Sequence, residues 1–271
     1  MTLAVSRPAA HAGSARVAAS VRRVIALALA EGVLLRRNPM ALFMVAVMPV
    51  TLVALMRASV PPELVEAGGL GASVVTSLVG ATLILVVYYN LVTAVVSRRE
   101  ELVLKRLRTG ELGDAEVLTG VVAPAVAIAW AQVLLGAIAA ATVFGLPRPA
   151  APLLAVVAVL GGTVVFVLLA LASAAVTRTV HLAELVTSPV LVASLALSGV
   201  MLPVEQLPVP LAQVAQLLPL TPVISLLRLG LSPAAGDPGV GGVLFPLLVL
   251  GAWIVGGLLL TRRHFGWEPR R

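Results

Sequence analysis

The chain has 271 residues, of which 60% are hydrophobic and only 11% are charged, and its formal net charge is +7. About a quarter of the residues of a soluble domain are charged, so this composition predicts a membrane protein. Cysteine is absent, which excludes disulfides, cysteine-based metal sites and thiol nucleophiles. The three histidines are far apart in the sequence and offer no ligand pair, so no metal-binding or catalytic residue is predicted.

The first segment, residues 1–38, is predicted to be a cytoplasmic tail followed by an amphipathic helix. Its first 23 residues contain four arginines but no apolar run with a cleavage site, so we do not expect a cleavable signal peptide. From Val24 to Arg37 apolar residues recur at helical spacing, which indicates a helix lying in the membrane interface. The alternative is that this stretch begins a long, tilted first span.

Six later stretches approach the roughly 20 apolar residues that a helix needs to cross the hydrocarbon core. The sequence therefore predicts an all-α polytopic membrane protein with a membrane domain over residues 39–261 and a cytoplasmic tail over 262–271. The fifth span is the shortest, and it contains Pro189. The predicted spans are 39–56, 70–96, 117–145, 152–177, 185–202 and 241–261.

The distribution of basic residues predicts the orientation. With both termini in the cytoplasm, sixteen of the nineteen arginine and lysine residues lie on the inner side. Only Arg57, Arg148 and Arg228 then lie outside. The positive-inside rule favours this arrangement.

The loop between the second and third predicted spans, Ser97–Glu116, holds ten of the 31 charged residues. Glu101, Lys105 and Arg108 fall on one helical face, while Val103, Leu104 and Leu107 fall on another. This pattern predicts a short amphipathic helix that ends near Gly110. Its apolar face would bind either lipid headgroups or another protein, and the mixture of acidic and basic residues disfavours simple adhesion to anionic lipid. In the alternative, the charges only orient the protein and solvate the loop.

The segment between Leu202 and Val240 is too apolar for a free loop, yet seven prolines interrupt it. Leu211, Val214, Ala215 and Leu218 predict one short helix, and Val223 to Leu231 a second. Broken helices at membrane depth are tolerated where they are buried in protein or line a cavity. We expect two short re-entrant helices between spans five and six, although a pair of interfacial helices without a gating role would show the same pattern.

Polar residues inside the spans are candidates for a substrate path, because polar groups in hydrocarbon usually face a bundle interior. The same residues could simply join helices, and the tyrosine pair could belong to an aromatic belt. The candidates are Thr76, Ser77, Tyr88, Tyr89, Asn90, Trp130 and Gln132.

Two motifs resemble a known family. Arg98-Arg99-Glu100, followed after a short spacer by Lys-Arg-Leu-Arg, is similar to the signature of the type 2 permeases of ATP-binding-cassette (ABC) exporters. The stretch from Ser198 to Leu231 is similar to the segment after the fifth span in that family. The chain departs from the family pattern at Pro222-Val223. Among these permeases the drug-resistance, daunorubicin-export-like group is the most similar.

The resemblance implies that the charged loop forms a coupling helix that docks on a separate ATPase. This chain has no phosphate-binding G-x-x-x-x-G-K-[ST] loop, so it would bind no cofactor itself, and ATP and Mg would bind the partner. The implied coupling residues are Arg99, Glu100, Glu101, Val103, Leu104, Lys105, Arg106, Leu107 and Arg108. The implied external re-entrant segment includes Gly199, Pro203, Glu205, Pro208, Pro219, Thr221 and Arg228.

The implied function is a non-enzymatic permease subunit in the bacterial inner membrane, for efflux of a drug, antibiotic or lipid-linked molecule. Its expected partners are the ATPase, a second copy or a related permease, and membrane lipids, with no nucleic acid. The alternatives are a polysaccharide or lipid-glycan exporter, a non-transporting membrane anchor and an intramembrane enzyme. An enzyme would need clustered carboxylates or histidines, whereas His181 and Glu184 have no acidic companion.

Overall fold

A computed structural model of the chain describes residues 39–66, 70–101, 114–146, 148–200, 204–232 and 239–264. Within these ranges every element of regular structure is helical, in agreement with the predicted all-α fold. The α-helices are α1 (Pro39–Ser59), α2 (Pro62–Glu66), α3 (Leu70–Thr82), α4 (Asn90–Glu100), α5 (Asp114–Phe144), α6 (Pro152–Val176), α7 (Val180–Leu197), α8 (Val209–Gln216), α9 (Thr221–Leu231) and α10 (Gly239–His264). A π-helical segment, Leu83–Tyr89, joins α3 to α4, and a 3₁₀ turn, Val204–Gln206, precedes α8.

Five helices in the described ranges are long and apolar enough to cross a membrane. They are Leu70–Glu100, Val117–Phe144, Pro152–Val176, Val180–Leu197 and Gly239–Arg263. The first predicted span is helical from Pro39 to Ser59, although its apolar stretch, Val45–Ser59, is shorter than the other five. The predicted pair of short helices is also present as α8 and α9, which meet at 87°.

The fifth span begins and ends about five residues earlier than predicted. At its start the Thr179 hydroxyl accepts a hydrogen bond from the backbone N–H of Leu182, as an N-cap does. At its end Gly199 has a φ of +82°, a left-handed conformation that stops a helix. These caps outweigh the apolar run that continues beyond them. The predicted amphipathic helix before α1 and the predicted coupling helix lie outside the described residues.

The helix Leu70–Glu100 and α6 form the centre of the bundle. α6 packs against α4, the π-helical segment, α7, α9 and α10, while α3 packs against α5 and α9. The outer helices expose large apolar side chains, such as Leu134 and Ile138 on α5 and Leu185 on α7. These exposed faces suit a lipid environment, in which apolar surface need not be buried.

The π-helical segment lies in the most buried of the long helices. The backbone N–H of Asn90 donates to the carbonyl of Leu85, five residues earlier, which is the π-helical spacing. Tyr88, at the end of the segment, is fully buried, and its hydroxyl lies 3.0 Å from Ser173 Oγ on α6. The segment therefore presents Tyr88 to α6 and contributes to the helix contact.

Glycine allows α9 to approach α6 closely. A Cβ atom on Gly230 would lie 2.7 Å from the backbone nitrogen of Ala155 and 3.0 Å from the carbonyl oxygen of Ala151. The Gly230 carbonyl also accepts a hydrogen bond from the Ala151 N–H at 3.0 Å. Deeper in the bundle, a Cβ on Gly162 of α6 would lie 2.9 Å from Val223 Cγ2 of α9. Small residues at such contacts let membrane helices pack by van der Waals attraction.

We predict that Gly230→Ala destabilises the protein even though alanine is the better helix former by about 1 kcal/mol. The added methyl group meets backbone atoms of α6, which cannot rotate away, and such overpacking costs about 1–3 kcal/mol. Gly256→Ala in α10 is the matched control, because a Cβ there has no atom within 4 Å. Melting in detergent should show a lower midpoint for Gly230→Ala alone, and equal midpoints for the two variants would contradict this packing.

Candidate functional sites at the two ends of the bundle

The long helices bring two groups of polar side chains to opposite ends of the bundle. α4 and α6 end close together, where Arg99 contacts α6 and Glu100 contacts the start of α7. We call this region the Arg99 junction. At the other end, the C-terminal half of α9 lies beside the start of α6, the end of α7 and the start of α10.

Arg99 is the largest fully buried side chain in the described ranges. Its guanidinium donates to the carbonyl oxygen of Ala174 at 2.9 Å and to that of Thr177. The last carbonyls of a helix have no partner within the helix and carry partial negative charge, so a buried cation is stabilised there. The predicted coupling residue Arg99 therefore lies inside the protein, where it joins the end of α4 to the end of α6.

The two glutamates that follow Arg99 lie on the surface. Glu100 Oε1 accepts a hydrogen bond from the Val180 N–H at the start of α7, at 3.3 Å. Glu101 Oε1 accepts one from Ser97 Oγ at 2.9 Å. Glu101 is the last described residue before the gap at 102–113. The other predicted coupling residues lie outside the described residues; they are Val103, Leu104, Lys105, Arg106, Leu107 and Arg108.

Close to this junction, a further contact links the central helix to α7. The Tyr89 hydroxyl donates to Glu184 Oε1 at 3.3 Å. α7 is thus held to the helix Leu70–Glu100 at both Glu100 and Tyr89, while Arg99 holds α6.

At the opposite end, α8 and α9 enter the bundle and return. Gly230, near the end of α9, lies at the start of α6, whereas Val223 lies beside Gly162, ten residues further along α6. Ten helical residues correspond to about 15 Å, which is half of a hydrocarbon core of about 30 Å. The turn between α8 and α9 therefore lies near the middle of the span, as a re-entrant pair requires.

Polar groups at this turn are satisfied within the protein. The Trp253 indole N–H donates to the Leu217 carbonyl at 2.9 Å, and Thr221 Oγ1 donates to the Ala215 carbonyl at 2.5 Å. Pro219 in the turn is buried and has no N–H to satisfy. These contacts allow a break in the helix at a depth without water.

A cavity of about 460 Å³ lies between α9, the end of α7 and the start of α10. Thr221, Ser225 and Arg228, spaced at helical intervals along α9, contribute to one wall. Phe245 and Pro246 of α10 contribute apolar surface. The other face of α9 is buried in the bundle. The sides of the cavity thus differ in polarity.

The structure brings several predicted re-entrant residues to this end. Gly199 and Arg228 are in contact, because the Arg228 guanidinium donates to the Gly199 carbonyl. Thr221 begins α9 and lines the cavity, while Pro208 precedes α8 and accepts from the N–H groups of Leu211 and Ala212. The backbone of Glu205 lies in the 3₁₀ turn, and Pro203 is outside the described residues.

The polar residues predicted to form a substrate path do not converge on one site. Thr76 is buried and donates to the Ala72 carbonyl of its own helix. Tyr88 contacts Ser173, and Ser77 donates to the Val200 carbonyl at 3.3 Å. Trp130 donates to Thr163 Oγ1 at 3.2 Å, so Tyr88, Ser77 and Trp130 link their helices to other segments of the bundle, whereas Thr76 does not.

Asn90 and Gln132 have different surroundings from the buried candidates. Asn90 is exposed at the start of α4, and Gln132 is half-buried on α5. The two residues lie on different helices, and neither lines the cavity beside α9.

Ser198 was not among the predicted site residues. It is fully buried and borders the cavity, and its hydroxyl has no hydrogen-bond partner among the described residues. Ser194, one helical turn earlier, shares both its burial and its lack of a partner in the same part of the chain. The sequence signal that could identify this pair is the i, i+4 spacing of two serines just before Gly199.

The chain matches a known protein family. The family described as "ABC-2 type transporter" matches residues 22–231, which is more than three quarters of the chain. The match includes the Arg99 junction and the α8–α9 pair. Among curated proteins no match was found. From its helical architecture and this match, we conclude that the chain belongs to the ABC-2 type transporter family.

Proposed function

We propose that this ABC-2 permease is the membrane subunit of an exporter. In this proposal it moves a hydrophobic or amphipathic molecule, such as a drug, an antibiotic or a lipid-linked compound, out of a bacterial cell. A separate ATPase binds ATP and Mg and supplies the energy. The permease itself provides the path and the coupling surface.

The observation that carries the proposal is the continuous packing from the Arg99 junction to the cavity. The charged loop continues directly from α4, and Arg99 holds the end of α4 against the end of α6. α6 in turn contacts α9 at Gly162 and again at Ala151. Since packed interiors transmit displacement rather than absorb it, a movement of the loop would reach the wall of the cavity through α6.

The basic side chains support a cytoplasmic location for the Arg99 junction. Arg98, Arg99 and Arg178 lie at or beside it, and the end of α10 adds Arg262 and Arg263. Arg57 and Arg228 lie in the last turns of α1 and α9, and Arg148 precedes α6, at the opposite end of the bundle. Positive-inside topology then places the cavity on the outer side, with both termini in the cytoplasm.

We further propose that two permease subunits form the transporter, as two copies of this chain or as a pair with a related permease. The support is the broad apolar surface of α5, on which Leu134 is 62% exposed and Ile138 is 54% exposed. Lipid or a second subunit would cover such a face.

The proposed docking face is tested by Leu104→Asp combined with Leu107→Asp. Two buried charges would remove the apolar contact, so we expect loss of the P-loop ATPase that copurifies with the unchanged permease, with membrane insertion retained. The matched control, Leu112→Asp with Gly113→Asp, adds the same charge beyond the predicted end of the helix. Retention of the ATPase by the first variant, or its loss from both, would disprove the docking face.

Arg99→Gln tests the connection between α4 and α6. Loss of two charge-assisted hydrogen bonds to helix-end carbonyls should lower stability by about 2–4 kcal/mol. In the assembled transporter, substrate moved per ATP hydrolysed should fall while the ATPase stays bound. Arg98→Gln, at the neighbouring half-buried position, is the control and should change both quantities less. Unchanged transport per ATP in Arg99→Gln would show that coupling does not pass through this contact.

The orientation can be tested directly because the chain contains no cysteine. Arg148 and Arg178 are exposed at opposite ends of α6. We expect a membrane-impermeant maleimide to label Arg148→Cys in intact cells and Arg178→Cys only after permeabilisation. The reverse labelling pattern would invert the topology and place the cavity in the cytoplasm.

A further inference from the structure

Arg228 occupies an unusual position for a charged side chain. It is half-buried on α9, two residues or about 3 Å below the level at which Gly230 meets the start of α6. Its hydrogen bond among the described residues is to the neutral carbonyl of Gly199, and no described carboxylate pairs with it. A charged residue within a span is normally paired or functional, because leaving it without a counter-charge at that depth is costly.

The Arg228 guanidinium lies at the edge of the cavity. A Cβ atom on Gly199 would lie only 3.3–3.5 Å from the Arg228 guanidinium, so glycine leaves the space in which Arg228 lies. An arginine has five N–H donors in a planar fork, of which the Gly199 carbonyl occupies one direction. The remaining donors are available to a group in the cavity that Arg228 lines.

Two further donors lie close to this space. Ser225, one turn before Arg228 on α9, lines the cavity, as does Ser198 at the end of α7. Ser198 is fully buried, however, so its hydroxyl, which lacks a partner among the described residues, is not open to the cavity. Ser225, which is half-buried, is therefore the hydroxyl donor beside Arg228 for a group in the cavity.

We propose that the cavity binds the phosphate group of a phosphate-bearing amphiphile, with Arg228 and Ser225 as donors to the phosphate oxygens. Arginine and hydroxyl donors suit a phosphate, which accepts several charge-assisted hydrogen bonds at once. Phe245 and Pro246 supply the apolar surface on which the hydrophobic part of the molecule lies. The claim that such a molecule is the transported substrate rests on the proposed function, whereas the claim that the cavity binds it does not.

A purely structural role for Arg228 accounts for less of the geometry. A cation beside the Gly199 carbonyl would stabilise the end of α7 through its helix dipole. That role requires neither a cavity nor the polar pair Ser225 and Arg228 lining it. Phosphate binding accounts for both.

Binding to the purified full-length permease in a neutral detergent tests the proposal without the ATPase. The probes are dioctanoyl phosphatidic acid, dioctanoylglycerol, which lacks the phosphate, and inorganic phosphate. On the unchanged protein the phosphatidic acid should bind about tenfold more tightly than dioctanoylglycerol, the size expected of one or two charge-assisted hydrogen bonds. Inorganic phosphate should bind more weakly than the phosphatidic acid, because it lacks the apolar part.

The variants assign the effect to Arg228. Arg228→Gln should abolish the preference for the phosphatidic acid, while Arg228→Lys should retain most of it. The matched control is Arg148→Gln, an exposed arginine at the same end of the bundle, which should leave the preference unchanged. If Arg228→Gln does not fold, Ser225→Ala serves instead and should weaken phosphatidic acid binding several-fold without affecting dioctanoylglycerol.

Three results would overturn the proposal. The first is equal binding of phosphatidic acid and dioctanoylglycerol by the unchanged protein. The second is an equal loss of preference in Arg148→Gln and Arg228→Gln. The third is binding of inorganic phosphate as tight as that of phosphatidic acid, which would indicate a site for a free anion. Because no ATPase is present, failure here leaves the proposed export function standing, and loss of ATPase docking leaves this result standing.

Discussion

A break in a helix at the middle of a bilayer requires every exposed backbone group to find a partner within the protein. The turn between α8 and α9 meets this constraint through Trp253, Thr221 and Pro219. The rest of the bundle is arranged around it, since α10 supplies the indole and α6 supplies Gly162, against which Val223 of α9 packs. The cavity exists because α8 and α9 turn back at this depth and do not continue as a span.

The Arg99 junction solves a related problem at the other end. α6 ends among packed helices, and its last carbonyls would be left without partners if Arg99 did not donate to them. Arg99 is one of the basic residues that predict a cytoplasmic loop, and its guanidinium also forms structural hydrogen bonds at the end of α6. α6 consequently has fixed contacts at both ends, with α4 at one and with α9 at the other. It is therefore the helix through which a movement of α4 would reach α9.

Much of the fold could be predicted from the sequence because long apolar runs and clustered prolines are local signals. The helix Pro152–Val176 and the pair α8–α9 are examples. The fifth span was placed about five residues too late, since the capping by Thr179 and the left-handed Gly199 outweighs average hydropathy. The burial of Arg99 could not be predicted, because an arginine at the end of an apolar run gives the same pattern whether it faces water or the carbonyls of another helix. The cavity depends on three segments that are distant in the chain, so no single pattern contained it.

The π-helical segment determines the direction in which the second half of its helix faces. A π turn accommodates one residue more than an α turn, and each residue of an α-helix rotates the next side chain by about 100°. If the first half of the helix kept its place, an uninterrupted α-helix from Leu70 to Glu100 would therefore change the direction of Tyr88 and Arg99 relative to α6. The extra residue between Leu83 and Tyr89 sets the angular phase between the two halves of the helix, so insertions and deletions would be tolerated least in this stretch of the chain.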